Sequence, residues 1–298
     1  MRLVIDCNNL CYMSFYALGG LEYNGKSTGV IYGFLNQLYS LCRKHTPDQI
    51  LFCWDSRKSY RKKMYPEYKA NRSNKSEEEL QVLREAYEQF NDLREHVLPS
   101  LGFQNNYQIP GYEADDIIAW LVWRCPDDYI IVSGDQDLYQ LLQKTKQCET
   151  SILSPSTGKM FTYDMFYSVY GLSNPCIDWV KAKAIGGCDS DNVKGIYGVA
   201  DPAKSNSSKA IEYLKGNLTK GKIYDKIVSE EGQQIIKRNT SLVFLPFQGG
   251  HRIDLEIKDD TLYARDFRDV FSEYGFDSLR KELGSWIRVL NLKMKKEG

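Results

Sequence analysis

The sequence predicts an α/β protein with a mostly parallel sheet. Three short runs that are rich in β-branched and aromatic residues have the composition of buried strands, at residues 3–5, 50–54 and 129–132. Stretches with apolar residues at helical spacing separate these runs. Strands that alternate with helices are typical of a parallel sheet covered by helices.

The long polar stretch between the second and third strands contains a predicted helix. It includes KSEEELQVLREAYEQFNDLREHVL, whose leucines and aromatic residues recur at helical spacing, with Ser76 as the expected N-cap. Pro99 and Gly102 interrupt this pattern. A further helix is predicted after Gly111, because apolar residues recur at helical spacing over residues 117–122.

The second half of the chain has a different pattern. After Tyr163 the helical patterns are short and separated by glycines, and residues 204–222 are rich in Lys, Ser and Asn. Residues 242–246 resemble a small strand, and two amphipathic helices are predicted around Gly275. We therefore predict an α/β domain over residues 1–175 and a helical domain over residues 176–298.

The composition excludes several classes of protein. The 42% hydrophobic and 26% charged residues are typical of a folded chain, and no apolar run reaches the roughly 18 residues of a membrane span. The N-terminus lacks the apolar stretch of a signal peptide, so we expect a cytoplasmic protein with no membrane partner. The 39 basic and 39 acidic residues balance, which argues against a simple polycation but says nothing about how the charges are distributed.

Cysteine and histidine do not form a recognisable metal site in the sequence. The eight cysteines include no C-x-x-C pair, and the three histidines, His45, His96 and His251, are far apart. A metal in this protein is therefore expected to bind carboxylates, which favours Mg²⁺ or Mn²⁺.

Acidic residues follow each predicted strand. Asp6 follows the first strand, Asp55 the second, and Asp135 and Asp137 the third. Ligands of open α/β sheets bind beside the carboxyl ends of the strands, so these carboxylates are expected to share one crevice. Because their charges repel one another, a pair of divalent ions would stabilise the cluster.

A fourth acidic contribution comes from the segment GYEADD. It places Glu113, Asp115 and Asp116 at the start of a predicted helix, where Glu113 and Asp116 share a face. The alternative is that these acids only complement the helix dipole, and that the strand-end acids are ordinary turn residues. Seven acids at four element ends favour the metal site.

Residues 55–72 form a basic and aromatic stretch. Its basic residues are Arg57, Lys58, Arg61, Lys62, Lys63, Lys69 and Arg72, with Tyr60, Tyr65 and Tyr68 between them. Such residues can neutralise phosphates and stack on unpaired bases. The alternative is a solvated helix face whose tyrosines pack on the core. The position directly after Asp55 favours nucleic-acid binding beside the acidic crevice.

Several motifs together resemble the phage and bacterial 5′-to-3′ exonucleases, also called flap endonucleases. The segments that match this family occur in the family's order, namely LVIDCNNL, FCWDSRKSYR, YPEYKANR, GYEADD, SGDQDLYQLL, GGCDSDNVKGIYGV, RNTSLVFLP and YGFDSLRKEL. The similarity extends over nearly the whole chain.

The resemblance implies a PIN-like (resolvase-like) α/β nuclease core with a helical arch at about residues 56–100. It also implies a C-terminal helix-hairpin-helix domain that binds duplex DNA. Two Mg²⁺ or Mn²⁺ ions would be held by the family's acids, here Asp6, Asp55, Glu113, Asp115, Asp116, Asp135, Asp137 and Asp191. Lys69 and Arg72 would contact the scissile phosphate, and Tyr68 would stack on a base near the 5′ end.

Other residues of the basic stretch and of the hairpin are expected to contact DNA. Those predicted here are Arg57, Arg61, Lys62, Lys63 and Tyr65 in the basic stretch, with Gly195 and Gly198 in the hairpin. Ala200 stands in the place of the family's last hairpin glycine, which weakens the prediction of a bound K⁺ there.

Cys188 is the main departure from the family pattern. The family has G-D-x-x-D-N where this chain has Gly187, Cys188, Asp189, Ser190, Asp191 and Asn192. A neutral thiol is a poor ligand for Mg²⁺. Either Asp189 replaces the missing acid, or the second ion is bound weakly.

The resemblance predicts a metal-dependent nuclease that hydrolyses DNA near 5′ ends and at junctions of single strand and duplex, in replication or repair. A monomer is expected, acting on DNA with 5′ single-stranded ends or flaps, with a polymerase or a single-strand-binding protein as partner. One alternative is a structure-specific DNA-binding protein whose catalysis is weakened by Cys188. Another is a PIN-type ribonuclease, against which the arch and the helical second half argue.

Overall fold

The computed structural model describes residues 1–73 and 76–294, and at residues 72 and 73 the backbone only. The strands in chain order are β1 (Arg2–Asp6), β2 (Glu22–Tyr23), β3 (Lys26–Ser27), β4 (Gln49–Trp54), β5 (Asn106–Gln108), β6 (Tyr129–Val132), β7 (Gln143–Lys144), β8 (Glu149–Leu153), β9 (Met160–Phe161), β10 (Gly187–Cys188) and β11 (Val193–Lys194).

The α-helices are named in the same way. They are α1 (Cys7–Leu18), α2 (Gly29–His45), α3 (Tyr60–Met64), α4 (Glu77–Asp92), α5 (Leu98–Leu101), α6 (Ala114–Arg124), α7 (Tyr163–Tyr170), α8 (Pro175–Gly186), α9 (Lys209–Leu214), α10 (Lys222–Val228), α11 (Glu230–Val243), α12 (Ala264–Glu273), α13 (Asp277–Lys281) and α14 (Leu283–Leu290). A π-helical turn, Leu93–Val97, joins α4 to α5, and 3₁₀ turns lie at Ala70–Ser73 and Gln136–Leu141.

The chain divides into two compact units. Unit 1 comprises Met1–Trp54, Lys75–Tyr107 and Leu255–Gly298, and unit 2 comprises Asp55–Asn74 and Gln108–Asp254. The predicted domain boundary at residue 175 stays a prediction, and so does the helical arch over residues 56–100, part of which lies outside the described residues.

Unit 1 contains the first parallel strand pair. β1 runs parallel to β4 with Leu3 opposite Ile50 and Ile5 opposite Phe52. All three side chains of residues 3–5 are fully buried, as expected for a strand that is covered on both faces. At the end of β1 the Asp6 carboxylate accepts the backbone N–H of Asn9 at 3.1 Å and caps α1.

The helix predicted after Ser76 is present as α4. The Ser76 hydroxyl accepts the N–H of Glu79 at 3.2 Å, and the Glu79 carboxylate accepts the N–H of Ser76 at 2.8 Å, which completes a capping box. At the end of unit 1, α12 precedes Gly275 and both α13 and α14 follow it, so the second predicted amphipathic helix is divided in two.

Unit 2 contains a second parallel pair, β6 with β8, and the short strands β7 and β9 pair antiparallel with β8. The helices α6, α8 and α11 belong to the same unit. The sheet is mostly parallel and flanked by helices, which confirms the predicted fold class.

One element of unit 2 was predicted wrongly. Residues 242–246 were expected to form a strand, but Leu242 and Val243 end α11 and residues 244–246 form a bend. Leu242 and Leu245 are nevertheless buried, at 1% and 2% exposure. A short apolar run indicates burial, but the run is too short for its periodicity to distinguish a strand from the end of a helix. Among the described residues, no helix is both long and apolar enough to cross a membrane.

Candidate active site

Unit 2 holds all but one of the acids predicted to bind metal. Asp55 follows β4, Glu113 is the N-cap of α6, and Asp135 is the N-cap of the 3₁₀ turn after β6. Asp191 lies in the turn between β10 and β11. Asp6 belongs to unit 1, where it caps α1.

The first acidic group consists of Asp55, Glu113 and Asp115. One oxygen of Asp55 accepts the N–H of Ala114 at 2.8 Å. Oδ1 of Asp115 is buried and accepts no hydrogen bond from the part of the chain that the structure describes. Burial and the neighbouring Asp116 raise the pKa of Asp115 well above its usual value. Such an oxygen is satisfied by a proton or by a cation, and a carboxylate oxygen is the kind of ligand that suits Mg²⁺ or Mn²⁺. Asp115 therefore fits the role of a ligand to a divalent ion.

The second acidic group consists of Asp135, Asp137 and Asp191. The Asp135 side chain is exposed, but nearby protein atoms partly desolvate its carboxylate. This desolvation and the neighbouring Asp137 raise the pKa of Asp135 to about 7. Asp137 and Asp191 line a cavity of about 10 Å³ together with Asp115. That volume is about the space of one water molecule. The two acidic groups therefore meet at one small cavity.

Tyr68 and Lys69 each contact one residue of the first acidic group and one residue of the second. The Tyr68 hydroxyl lies 2.9 Å from Oε2 of Glu113 and 2.9 Å from Oδ2 of Asp191. The Lys69 ammonium lies 2.8 Å from Glu113 and 3.6 Å from Asp191, and its backbone N–H donates to the carbonyl of Asp191. Burial lowers the pKa of Lys69, but Asp191 and Glu113 outweigh it and raise this pKa overall.

Tyr68 is buried in this structure. Its ring is 2% exposed and packs with Cys188, Val193 and Leu242. Stacking of this ring on a DNA base, as the resemblance implies, would require the ring to be uncovered. In the structure Tyr68 positions two carboxylates instead.

The structure gives Arg61 and Asp116 a role that differs from the predicted one. Arg61 was expected to contact DNA and Asp116 to bind metal. Arg61 is 2% exposed, and its guanidinium donates to both oxygens of Asp116 at 2.6 and 2.7 Å. The same oxygens accept the N–H groups of Glu113 at 3.1 Å and Phe247 at 2.7 Å. All of these interactions are internal, so the pair is structural.

The rest of the basic stretch is solvent-facing where it is described. Arg57, Lys62 and Lys63 are exposed, as DNA-contacting residues must be. Tyr65 is half-buried, with the Arg238 guanidinium 5.2 Å from its ring centroid. The side chain of Arg72 lies outside the described residues, so its predicted catalytic role stays a prediction.

Cys188 is buried beside the second acidic group. Its thiol lies 3.5 Å from Oδ2 of Asp137, and burial and Asp137 raise the pKa of the thiol well above its usual value. Asp189 does not replace the missing acid, because its exposed carboxylate pairs with the exposed Lys204. The backbone of the turn directs Asp189 outward to solvent and Asp191 inward to the cavity.

Sequence reasoning missed Lys183 and Asp201. The Lys183 ammonium is buried between Asp137, at 2.8 Å, and Asp201, at 3.2 Å. The signal in the sequence is a lysine four residues after Trp179, on a helix face that is otherwise apolar and small. Such a lysine is expected to have a buried acidic partner.

The hairpin glycines are required by close packing. A Cβ on Gly195 would lie 2.2 Å from the carbonyl carbon of Gly186, and Gly198 has a φ of +91°. Contact of these two glycines with DNA stays a prediction.

An α/β fold whose carboxylates lie near strand and helix ends, with Lys69 of the basic stretch in contact with two of them, is typical of proteins that bind a divalent ion and an anionic ligand at that edge of the sheet. The family model of the 5′-3′ exonuclease N-terminal resolvase-like domain matches residues 1–171. The chain belongs to this family.

Proteins that are similar to this chain in sequence include bacterial DNA polymerases I. The chain is 32% identical over 210 residues to a DNA polymerase I of Mycobacterium bovis. The aligned region covers 67% of this chain and 22% of the polymerase. It is 28% identical over 308 residues to the DNA polymerase I of Caldicellulosiruptor bescii. That alignment covers 95% of this chain and 34% of the polymerase. The chain thus spans about a fifth to a third of the length of these relatives.

Solved structures share the fold. The T5 D15 protein co-crystallised with metal ions superposes with a TM-score of 0.67 and 22% identity, covering 93% of this chain and 98% of that chain. Flap endonuclease-1 from Methanococcus jannaschii superposes with a TM-score of 0.58 and 13% identity, covering 97% and 92%. The predicted PIN-like architecture is confirmed by this likeness.

Proposed function

We propose that this chain is a divalent-metal-dependent 5′-3′ exonuclease and flap endonuclease that hydrolyses DNA phosphodiesters near 5′ ends and at single-strand/duplex junctions. The observation that carries the proposal is the cavity shared by Asp115, Asp137 and Asp191, beside which Lys69 pairs with Asp191 and Glu113. The family and the T5 5′-exonuclease structures with bound metal ions support it.

The residues that would hold a divalent ion are the carboxylates at the shared cavity, Asp115, Asp137 and Asp191, with Asp55 and Glu113 at the start of α6. When bound, a divalent ion supplies a Lewis acid that lowers the pKa of a water molecule and stabilises charge on phosphoryl oxygens. Tyr68 orients Glu113 and Asp191, because its hydroxyl contacts both carboxylates. Lys69 brings a fixed positive charge to the same place, where it can offset charge that develops on the phosphate.

The polymerase relatives support a role in replication or repair. DNA with a 5′ flap and an adjacent duplex is the proposed partner, for which the exposed Arg57, Lys62 and Lys63 offer charge to the phosphates. A polymerase or single-strand-binding partner, the monomeric state and the cytoplasmic location are also proposed.

Incubation with a 5′-labelled flap and with a blunt duplex tests the function. We expect labelled products near the junction of the flap in Mg²⁺ or Mn²⁺ and none in EDTA, because the acids need a cation before a phosphate can approach them. Products are sized by gel electrophoresis across a metal titration. Full cleavage in EDTA, or cleavage of RNA in preference to DNA, would contradict the proposal.

A second candidate function is a DNA-binding protein with weakened catalysis. It is favoured by the Cys188 thiol, which occupies the place of an acid and contacts Asp137. This candidate predicts tight binding to the flap with little metal-stimulated turnover.

Cys188→Asp separates the two candidate functions. If the thiol limits catalysis, this variant should raise the single-turnover rate by about 10-fold or more, since one restored charge contact is worth a few kcal/mol. Cys176→Ser, at a half-buried cysteine elsewhere in unit 2, serves as the matched control. An unchanged rate in Cys188→Asp, together with efficient wild-type turnover, rules out the weakened protein.

A further inference from the structure

A groove of about 770 Å³ lies beside the C-terminal half of α6. It is lined by Trp120, Trp123 and Arg124 of α6 and by residues 244–248 and 250–253, all of which belong to unit 2. We call it the tryptophan groove. The proposed function does not use it, so its surface needs an explanation of its own.

The tryptophan groove is aromatic and basic. Trp123 is 39% exposed, and Trp120 is half-buried. Arg124 and Arg252 are exposed, and neither pairs with an acid among the residues that the structure describes. No Asp or Glu of the described chain lines the groove. Its charge is therefore complementary to an anionic ligand, and its rings offer flat apolar faces to that ligand.

The tryptophan groove contacts the basic stretch of residues 55–72. The Tyr60 hydroxyl of that stretch lies 2.8 Å from Nδ1 of His251, which lines the groove. The Lys63 ammonium lies 5.3 Å from the Tyr60 ring centroid. A Cβ on Gly250 would lie 2.3 Å from the Tyr112 hydroxyl, so a glycine is needed for this close approach. The exposed cations of the basic stretch are thus linked to the groove through Tyr60 and His251.

The groove also lies close to the candidate active site. Asp115 and Trp123 are eight residues apart on α6, which is about 12 Å along the helix axis. Leu245 lines both the groove and the cavity of Asp115, Asp137 and Asp191. A strand whose phosphate is bound at the acids therefore has the groove within a few nucleotides of that phosphate.

Unpaired DNA is the ligand that fits these features. An unpaired base can stack on an exposed indole ring, whereas the bases of a duplex are already stacked on one another. Arginine side chains pair with phosphates and also stack on bases. The alternative occupant is an apolar segment of a protein partner. Such a segment would account for the exposed Trp123, but not for two unpaired arginines in a groove whose described lining has no acid.

We propose that the tryptophan groove binds unpaired DNA, with bases stacked on Trp120 and Trp123 and phosphates on Arg124 and Arg252. The inference rests on the proposed function for the choice of ligand, because the unpaired strand of a flap is part of that substrate. The groove holds this strand while the acids act on the junction.

Tryptophan fluorescence tests the inference on the wild-type chain. Of the five tryptophans, Trp54, Trp179 and Trp286 are fully buried, so Trp120 and Trp123 are the ones that a ligand can reach. In EDTA, an oligothymidylate of about 10 nucleotides should quench the emission, because a base stacks on an indole. Inorganic polyphosphate, which has the charge but no bases, should not.

Two results of this titration would overturn the inference. One is oligothymidylate that binds, as measured by the anisotropy of a labelled sample, without quenching. The other is the absence of binding, which would favour an apolar partner as the occupant. Equal quenching by polyphosphate would likewise show that no base stacks in the groove.

Variants then assign the binding to the groove. Trp123→Leu should weaken oligothymidylate binding by about 5-fold or more, since a stacking contact is lost. Arg124→Met should weaken binding and lower its salt dependence by about one counterion. Tyr167→Leu and Lys146→Met are the matched controls, because both residues are exposed in unit 2 and neither lines the groove. They should leave the affinity unchanged.

Both groove side chains are exposed, so we expect these variants to fold, which circular dichroism checks. If a variant does not fold, quenching of the wild type decides alone. Folded Trp123→Leu and Arg124→Met variants with the affinity of the wild type would overturn the inference.

The flap assay on the same samples separates this inference from the proposed function. Quenching together with metal-dependent cleavage supports both. Cleavage without quenching overturns the groove as a DNA site and leaves the nuclease standing. Quenching without any cleavage contradicts the nuclease, while the groove stands as a binding site for unpaired DNA.

Discussion

Asparagine in place of Asp115 is expected to lower metal-dependent flap cleavage by about 10³-fold or more, since the loss of a metal ligand removes several kcal/mol of transition-state stabilisation. The substitution keeps the shape of the side chain and removes its charge. Oδ1 of Asp115 is buried and accepts no hydrogen bond from the described residues. In the proposed function a divalent ion would be the partner of this oxygen.

The stability of the same variant should change in the other direction. Burial and Asp116 raise the pKa of Asp115 above its usual value, so the folded state holds its proton more tightly than the unfolded state. The fold therefore loses stability as the pH rises above the unfolded pKa. In EDTA at pH 8, Asp115→Asn should unfold at the same temperature as the wild type or at a higher one.

Cleavage of the labelled flap and thermal unfolding in EDTA measure these two effects. Asp164→Asn is the matched control, because Asp164 is an exposed acid of unit 2 that pairs with Lys144. It should leave both quantities unchanged. A large loss of stability in Asp115→Asn would show that Asp115 supports the fold and does not bind the ion.

The strands and the acids that follow them could be predicted because both depend on local sequence. A buried strand needs only a short apolar run, and an acid directly after it must lie at the strand end. The acids Asp55, Asp135 and Asp137 illustrate this. The N-cap of α4 at Ser76 was also predicted from local sequence, and the structure completes it as a capping box with Glu79.

Neighbouring residues with different roles could not be distinguished in this way. Asp115 and Asp116 are adjacent acids, yet Oδ1 of Asp115 has no hydrogen-bond donor among the described residues, whereas Asp116 accepts hydrogen bonds from a guanidinium and two backbone N–H groups. The backbone of Phe247, which donates to Asp116, is 131 residues away in the chain. Lys183 was missed for the same reason, because its partner Asp137 lies 46 residues earlier in the numbering.

Arg61→Met should destabilise the protein by about 3–5 kcal/mol, because it leaves the Asp116 carboxylate buried without its counter-charge. In a chain of this size that loss corresponds to a fall of about 10 °C in Tm. Arg61 also donates from Nε to the carbonyl of Leu242 at 2.7 Å, and its guanidinium carbon lies 5.1 Å from the Phe247 ring centroid. Methionine keeps part of this packing and none of the hydrogen bonds.

The double variant Arg61→Met with Asp116→Asn tests the cause of that loss. If an unpaired charge is responsible, removal of the second charge should restore much of the stability, and the two effects should not add. Chemical unfolding in urea measures the four members of this cycle. Additive losses would show that packing around Arg61, and not the ion pair, carries the stability.

Lys62 provides the contrast within the same stretch. It is the next residue after Arg61 and is exposed, so Lys62→Met should change the stability by less than about 0.5 kcal/mol. If Lys62 contacts a phosphate, its loss should weaken flap binding and reduce the salt dependence of binding by about one counterion. Fluorescence anisotropy at several salt concentrations measures this slope. Equal salt slopes for the wild type and Lys62→Met would remove Lys62 from the DNA interface, whereas a stability loss like that of Arg61→Met would place it in the core.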